Sequence, residues 1–446
     1  MNVLLIFPGA PDRSPFSTSE KRPPLGVGSL ISVLRARGHR VLFRDHYLTP
    51  DSAIDEGLLE RENIDFFGIY VNTICLRQAL ALFDRADGRR RQGKWAGKLL
   101  AGGPQTSVAL HTIPAYIDFV VQGEGEEAII DIVEGRTTGR LIDRGKLKNI
   151  DSLPFQPWDI FTAMAYDFSC PWIDLKPVYT LNTSRGCPFN CSFCSVGSIW
   201  GRQYTYFSAD RVVAEIEYLV QNYHAQGIYF REDNFTLNLG RTAAFCQLLI
   251  KKGLTLPWAC ETRVDNLTED LLSLMARAGC HAFYLGVESG SQRMLDILNK
   301  NINLDQVAQV VAWCKKYGIK TYFSLITGIP GETYRDLRLT MKLLRDTGPS
   351  AYGFNVYVGL ADSPLYRYVR QHRLYEHEDD TGLLYLPGFD VKTRFFYHQD
   401  SRTLVDHRFS KRNRSRYDRF LLFHLYLGKI KNAVMRAIKK ATGRRP

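Results

Sequence analysis

Within Ser184-Arg-Gly-Cys-Pro-Phe-Asn-Cys-Ser-Phe-Cys-Ser195 the chain sets Cys187, Cys191 and Cys194 in a C-x3-C-x2-C array, directly after an apolar run at residues 178–181. Three thiols within eight residues, at the exit of a predicted strand, can grip one metal centre from one side. A structural zinc ion wants a fourth protein ligand, usually from a second C-x2-C or H-x3-H pair, and no such pair follows. An iron–sulfur cluster on three cysteines instead leaves one iron open for a substrate or cofactor. Taken alone, these residues leave three readings standing: cluster, zinc, and buried thiols that merely pack.

The 446 residues are enough for two or three domains, and 45% hydrophobic with 12% aromatic content can fill their cores. Ahead of the cysteines, strand and helix patterns alternate. Residues 3–7 are a short apolar run stopped by Pro8-Gly9, the pattern of a buried parallel strand. Residues 25–38 read as a helix ending at Gly38; residues 40–43, 65–71, 98–101 and 116–121 read as four more strands. The alternation predicts a doubly wound α/β domain over residues 1–150, with ligands bound beyond the carboxyl ends of its strands. Gly102-Gly103-Pro104 and Gly123-Glu124-Gly125-Glu126 fall at those ends, where a missing Cβ lets backbone approach a ligand. Neither forms a G-x-G-x-x-G or P-loop pattern, and ordinary βα turns explain them equally well. Residues 151–175, rich in Pro and aromatics at their start, read as a linker draped over an interface rather than a core element.

After the cysteines a helix–glycine–strand cadence recurs through residues 176–375 and predicts βα units arranged as a barrel, with functional groups at the strands' carboxyl ends. Ser208 and Thr268 are placed to cap helices; Gly279, Gly318 and Gly348 are placed to stop them. The strand ends carry Glu232-Asp233-Asn234, Arg263, Glu288-Ser289 and the turn Thr327-Gly328-Ile-Pro-Gly331-Glu332. Arg263 has the fork to bind a carboxylate bidentately. Each group alone is an ordinary solvated loop; four in succession, all downstream of the cysteines, read as a site. Cys75, Cys170, Cys246, Cys260, Cys280 and Cys314 lack metal spacing; Cys280 and Cys314, next to helix stops, read as core, and a catalytic thiol among the six is the alternative.

The cysteine array, with the aromatic Phe193 before its third cysteine, resembles the radical S-adenosylmethionine (SAM) superfamily. The preceding domain with its two glycine turns resembles the cobalamin-binding domain of that family's B12-binding branch. The resemblance implies a [4Fe-4S] cluster on Cys187, Cys191 and Cys194, SAM on the open iron, and a partial (β/α)6 barrel. It implies SAM contacts at Glu232, Asp233, Asn234, Arg263, Glu288, Ser289, Gly328 and Gly331. Cobalamin would lie at Gly102, Gly103, Pro104, Gly123, Glu124 and Gly125. One feature departs from other cobalamin folds: the D-x-H-x-x-G motif carrying a histidine ligand to cobalt is missing, and the first loop reads Pro8-Gly-Ala-Pro-Asp-Arg-Ser-Pro15. The implied activity is reductive cleavage of SAM and attack on an unactivated carbon, as a methyltransferase. The alternative is an oxidative cyclase or dehydratase whose cobalamin domain is vestigial. An electron donor such as flavodoxin or ferredoxin is the expected partner, and the substrate is a small molecule, lipid or sugar.

Charge adds one constraint. Residues 402–446 hold fourteen Lys/Arg against Asp406 and Asp418, which accounts for the whole net charge of +12. In this variable region, residues 376–446, a basic helix is expected from Asp406, with Ile430, Val434, Ala437 and Ile438 on one stripe. It either docks on the barrel or lies peripherally on anionic membrane. No aromatic–basic interleaving suggests nucleic acid. The first apolar run is too short for a signal peptide, no stretch reaches the ~18 apolar residues of a spanning helix, and nine cysteines, an odd number with three of them clustered in one place, point to a reducing cytoplasm.

Overall fold

The computed structural model describes residues 1–9, 21–49, 57–375, 377–379 and 381–386. In β1 (Asn2–Phe7) the residues Val3, Leu4, Leu5 and Ile6 are all buried, so the strand needs cover on both faces. That cover comes from α1 (Leu25–Ala36), α2 (Leu58–Arg61), α3 (Leu76–Arg91), α4 (Pro104–Val108) and α5 (Glu126–Val133). The other strands are β2 (Arg40–Asp45), β3 (Phe66–Tyr70), β4 (Lys98–Gly102), β5 (Phe119–Gln122) and β6 (Leu141–Asp143). All pair in parallel, in the order β2-β1-β3-β4-β5-β6. The doubly wound sheet is as expected. Strand β6 is an addition: its three residues run exposed–buried–exposed, too short to announce a period.

The second sheet follows α6 (Trp158–Thr162) and begins with β7 (Val178–Leu181). The two-residue strands β8 (Ser184–Arg185) and β9 (Thr205–Tyr206) pair with each other around the cysteine loop and α7 (Val196–Trp200). Then come α8 (Ala209–Tyr223), β10 (Gly227–Phe230), α9 (Leu239–Lys252), β11 (Trp258–Thr262), α10 (Glu269–Arg277), β12 (Cys280–Glu288), α11 (Gln292–Ile297), α12 (Leu304–Lys316), β13 (Lys320–Thr327), α13 (Tyr334–Thr347) and β14 (Ala351–Val356). Six strands pair in parallel in the order β7-β10-β11-β12-β13-β14, an open arc with β7 and β14 as its edges, which is the partial (β/α)6 barrel. The expected caps are made. Ser208 Oγ accepts from Arg211 N (3.2 Å), Thr268 Oγ1 accepts from Leu271 N (3.3 Å), and α13 ends at a left-handed Gly348. After β14, α14 (Pro364–Gln371) and the antiparallel ribbon of β15 (His377–Glu378) and β16 (Leu384–Tyr385) pack beside the barrel mouth. The helix expected from Asp406 lies outside the described residues.

The join between the sheets corrects one expectation. Residues 151–175 are not a drape: Trp158 and Phe161 of α6 are at most 1% exposed and belong to one apolar core. That core runs unbroken from Val3 and Leu5 of β1 to Leu181, Val212 and Phe230 around the barrel. Gly28 of α1 makes room for it, since a Cβ there would fall 2.3 Å from Gln156 Oε1 and 2.7 Å from the Phe161 ring. The aromatics that marked the segment as a linker are there to fill space between two sheets. Polar ties follow the same path. Trp158 Nε1 donates to Glu215 Oε1 (3.1 Å), Tyr166 OH donates to Asp45 Oδ2 (2.5 Å), and Arg22 Nη1 donates to Ser169 O (2.8 Å) and Thr180 Oγ1 (3.0 Å).

Candidate active site

The cysteine loop is held from three directions. At its base, the Glu232 carboxylate beyond β10 accepts from Thr183 N (3.0 Å), Thr183 Oγ1 (2.8 Å) and Ser184 Oγ, which fixes the strand leading into the loop. From β11, the Arg263 guanidinium stacks on Phe189 at 3.8 Å from the ring centroid and donates to Cys191 Sγ (3.5 Å) and Lys300 O (2.6 Å). From the far side, Ser192 N donates to Leu298 O (2.8 Å), Leu365 N donates to Ser192 O (2.7 Å), and Phe193 packs on the apolar cluster under α14. Burial pushes the Cys194 thiol up to about 11 and raises Cys187 as well, against a backbone hydrogen bond that favours each thiolate. These thiols therefore keep their protons at neutral pH until a metal displaces them. Among the described residues no three His, Cys, Asp or Glu side chains, those of this loop included, are gathered closely enough to hold a metal ion. By donor chemistry, three thiols on one tight loop, with a guanidinium donating to the middle one, are the set that would hold a multi-iron cluster with one corner open.

A cavity of about 500 Å³ opens beside this loop, between the carboxyl ends of the two sheets. The front wall is made by Gly102, Gly103, Pro104, Gly123, Glu124 and Gly125, all six expected there. Gly103 requires its residue type, because it has φ +114° and a Cβ would lie 2.7 Å from Val71 O. At Gly102 the nearest atom to a Cβ would be Val121 Cβ at 3.7 Å, so the turn offers open space to a ligand. The barrel wall carries Arg231, Glu232, Asp233 and Glu261. Burial, and then the charge of Glu232, push the Asp233 carboxyl up to about 6. Glu261 is raised too, chiefly by burial, although Tyr229 OH donates to its Oε1 (2.7 Å) and Arg231 Nε lies 3.7 Å away.

Other expected contacts do not line this cavity. Asn234 is fully buried: Nδ2 donates to Asn266 Oδ1 (3.1 Å) and Oδ1 accepts from Thr262 Oγ1 (3.0 Å), a bracket between β10 and β11 rather than an open ligand contact. The fork of Arg263 does bind a carboxylate bidentately, but that of Asp265 (2.9 and 2.8 Å), two residues on. Glu288 ends β12 at φ +65° and pairs with Lys300 Nζ (2.8 Å). Ser289 is buried against Thr340, and Gly328 N donates to Glu332 Oε2 (2.5 Å) in the turn that also holds Gly331. These four sit at the ends of β12 and β13, further round the arc.

Sequence reasoning missed Arg185. Its guanidinium, 16% exposed, reaches from β8 to the front domain, where Nη2 meets Glu126 Oε1 at 2.5 Å and Nη1 meets Glu126 Oε2 at 3.2 Å. Glu124 Oε2 lies 3.5 Å from Nη1. Ser29 Oγ also donates to Glu126 Oε1 (2.6 Å). Burial alone would raise the Glu126 carboxyl, but the Arg185 charge and these hydrogen bonds outweigh it and hold the group below its ordinary range. Trp200 of α7 lies under the Arg185 guanidinium (5.9 Å) and the Lys146 ammonium (4.9 Å). Nothing in the spacing relates position 126 to position 185; only an arginine two residues before the first cysteine hinted at a partner.

Three comparisons bear on this geometry. The model of the Radical SAM superfamily matches residues 181–344. An uncharacterized methyltransferase of Pyrococcus horikoshii is 28% identical over 369 residues, covering 77% of this chain and 78% of its own. The anaerobic magnesium-protoporphyrin IX monomethyl ester cyclase of Rubrivivax gelatinosus is 31% identical over 276 residues, covering 56% of this chain and about half (49%) of its own. Among solved structures, the radical SAM methyltransferase TsrM of Kitasatospora setae, determined with cobalamin and a [4Fe-4S] cluster bound, superimposes with TM-score 0.63 at 17% identity. That match covers 83% of this chain and 75% of that one, and shows a shared fold.

Proposed function

We propose that this chain, whose residues 181–344 match the Radical SAM superfamily, is a cobalamin-dependent radical SAM methyltransferase acting on an unactivated carbon. The observation that carries the proposal is the placement of the cavity: the glycine turns of a doubly wound domain face, across a single space, the acidic strand ends of the barrel and the residues on either side of the cysteine loop, Ser184 and Arg185 before it and Ile199 and Trp200 after it, while the three cysteines themselves stand outside the lining. Bound there, a [4Fe-4S] cluster with SAM supplies reductive cleavage and hydrogen abstraction, and cobalamin supplies the methyl group.

The chain's own residues hold and orient. Cys187, Cys191 and Cys194 would ligate the cluster, with Arg263 donating to the middle sulfur and Glu232 bracing the strand in front of the loop. Asp233 stands at the cavity wall with its carboxyl raised, and can take a proton or an ammonium group near neutral pH. Asn234, Glu288, Ser289, Gly328 and Gly331 shape the strand ends where the resemblance places SAM. Gly102, Gly103, Pro104, Gly123, Glu124 and Gly125 would meet cobalamin, the four glycines giving a planar or extended ligand close backbone approach. The apolar core behind the cavity excludes water from one side.

A second reading has support from identity: the 31% match to a cyclase favours an oxidative cyclisation on the same radical chemistry. Both readings need an external one-electron donor such as flavodoxin or ferredoxin. Among the described residues no helix is long and apolar enough to cross a membrane; cytoplasmic placement, with the basic tail resting on an anionic surface, belongs to the proposal. The test is anaerobic reconstitution with iron, sulfide and hydroxocobalamin, then desalting, metal analysis and a label-transfer assay from methyl-labelled SAM. One cluster and about one cobalt per chain, with label entering an acceptor, supports the methyltransferase. A cluster without retained cobalt moves the cyclase or dehydratase to the front.

A further inference from the structure

We infer that Arg185 is a positioning residue that couples the cysteine loop to the Gly123–Gly125 turn, so that order in one cofactor site is felt in the other. The inference rests in part on the cobalamin reading above, and part of its test does not.

Three observations point the same way. First, the contact joins the two working loops themselves. Arg185 is two residues from Cys187, and Glu124 and Glu126 flank Gly125. Second, the contact is buried. Glu126 and Glu124 side chains are 6% and 3% exposed, Arg185 is 16% exposed, and the pair is bidentate with Ser29 completing one oxygen. Removing one partner of such a pair strands a buried charge, so the turn and the loop have few alternative arrangements while both are folded. Third, Trp200, on the helix that follows Cys194, lies against Arg185 and Lys146, while Lys146 Nζ lies 3.5 Å from Glu124 Oε1. The cysteine loop is therefore bracketed by front-domain contacts before its first thiol and after its last.

The physical consequence is a linkage. Without a cluster the loop rests on its hydrogen bonds and packing alone, and three thiols bound to one centre would add to what opposes its fraying. Fraying moves Arg185, and Glu126 then loses its counter-charge at the foot of the glycine turn, while Glu124 keeps only Lys146. A metal cluster that pins the thiols pins Arg185, and through it the turn. Coupling of this kind is reciprocal, so a ligand ordering the turn also favours the loaded loop.

The experiment compares the wild type with Arg185→Met and Glu126→Gln, each in the cluster-loaded and cluster-free forms of the full chain. Hydroxocobalamin affinity is measured by equilibrium dialysis, and amide hydrogen exchange is followed over residues 119–133. In the wild type, cluster loading is expected to raise hydroxocobalamin affinity about tenfold, within the usual span of coupling between sites, and to slow exchange in the turn. In both variants the affinity ratio should fall to about one and the exchange difference should vanish, with iron content per chain unchanged. An unchanged ratio and unchanged exchange difference in the variants would overturn the coupling. So would a wild type whose turn exchanges equally with and without cluster. If the wild type binds no hydroxocobalamin yet shows the Arg185-dependent exchange difference, the coupling stands and the cobalamin reading fails. A variant that unfolds outright is answered by Arg185→Lys, which keeps the charge and should restore part of both differences.

Discussion

Changing Glu232 to Gln separates two roles that this residue could play. Its Oε2 accepts from Thr183 N and Ser184 Oγ, and its Oε1 accepts from Thr183 Oγ1. A glutamine keeps one acceptor oxygen, best placed at the Oε2 position, and puts an amide nitrogen opposite Thr183 Oγ1. That hydroxyl also accepts from Arg241 Nη2 and has little freedom to turn. Hydrogen bonds to an ionised group are worth about 1.5–3 kcal/mol and neutral ones about 0.5–1.5 kcal/mol. Weakening two by about 1 kcal/mol each and losing the third gives roughly 3.5–5 kcal/mol. The loss should appear in cluster-free protein, as a lower urea midpoint by tryptophan fluorescence. SAM affinity, measured by dialysis on the reconstituted variant, should fall only as far as cluster content falls. If stability instead stays within about 0.5 kcal/mol of wild type while SAM affinity per cluster drops tenfold, Glu232 is a ligand contact and the loop is anchored by something else.

Cys191→Ala should leave the protein without a chelatable cluster, seen as loss of iron and of visible absorption after reconstitution; full iron retention would refute the ligand assignment. Trp158→Ala should cost about 3–5 kcal/mol, because the indole is fully buried between the sheets and its loss also strips a donor from Glu215; a cost near zero would return the segment to the status of a linker. Gly103→Ala forces a side chain onto φ +114° against Val71 O, at about 1–3 kcal/mol, and cobalt retention after desalting should fall with it. The carboxyl of Glu126 is held low in the fold, so its ion pair stabilises above the unfolded carboxylate pKa of about 4.3 and is lost as pH falls through the lower folded value. Glu126→Gln should therefore be less stable than wild type at pH 7, and the gap in urea midpoint should close below about pH 4.

Much of the architecture was legible because it rests on local patterns. Parallel strands buried on both faces are continuous apolar runs, as in residues 3–6, and each barrel unit announces its cap and its glycine stop, as at Ser208 and Gly348. The cysteine loop was legible for the same reason, since ligand spacing along the chain is a local property. Where the pattern was shorter than its own period it failed, as for β6 with three residues. It failed differently for Trp158 and Phe161: a Pro-rich aromatic stretch has the composition of a linker, and only the second sheet arriving against the first makes it core.

The site divides along the same line. Residue types at the strand ends were visible in the chain, but which of them face the cavity was not, because a side chain's partner is set by what the fold brings opposite it. Asp233 faces the cavity while Asn234 beside it is spent between β10 and β11; Arg263 found its carboxylate two residues away. The Arg185–Glu126 pair spans 59 positions and has no signature in either stretch. Spacing along the chain determined a three-thiol array and two glycine turns; the tertiary structure decided that the segment leading into the thiols meets one of those turns, through Arg185 and Glu126, because contact between distant segments depends on how two sheets pack and on nothing that either segment encodes alone.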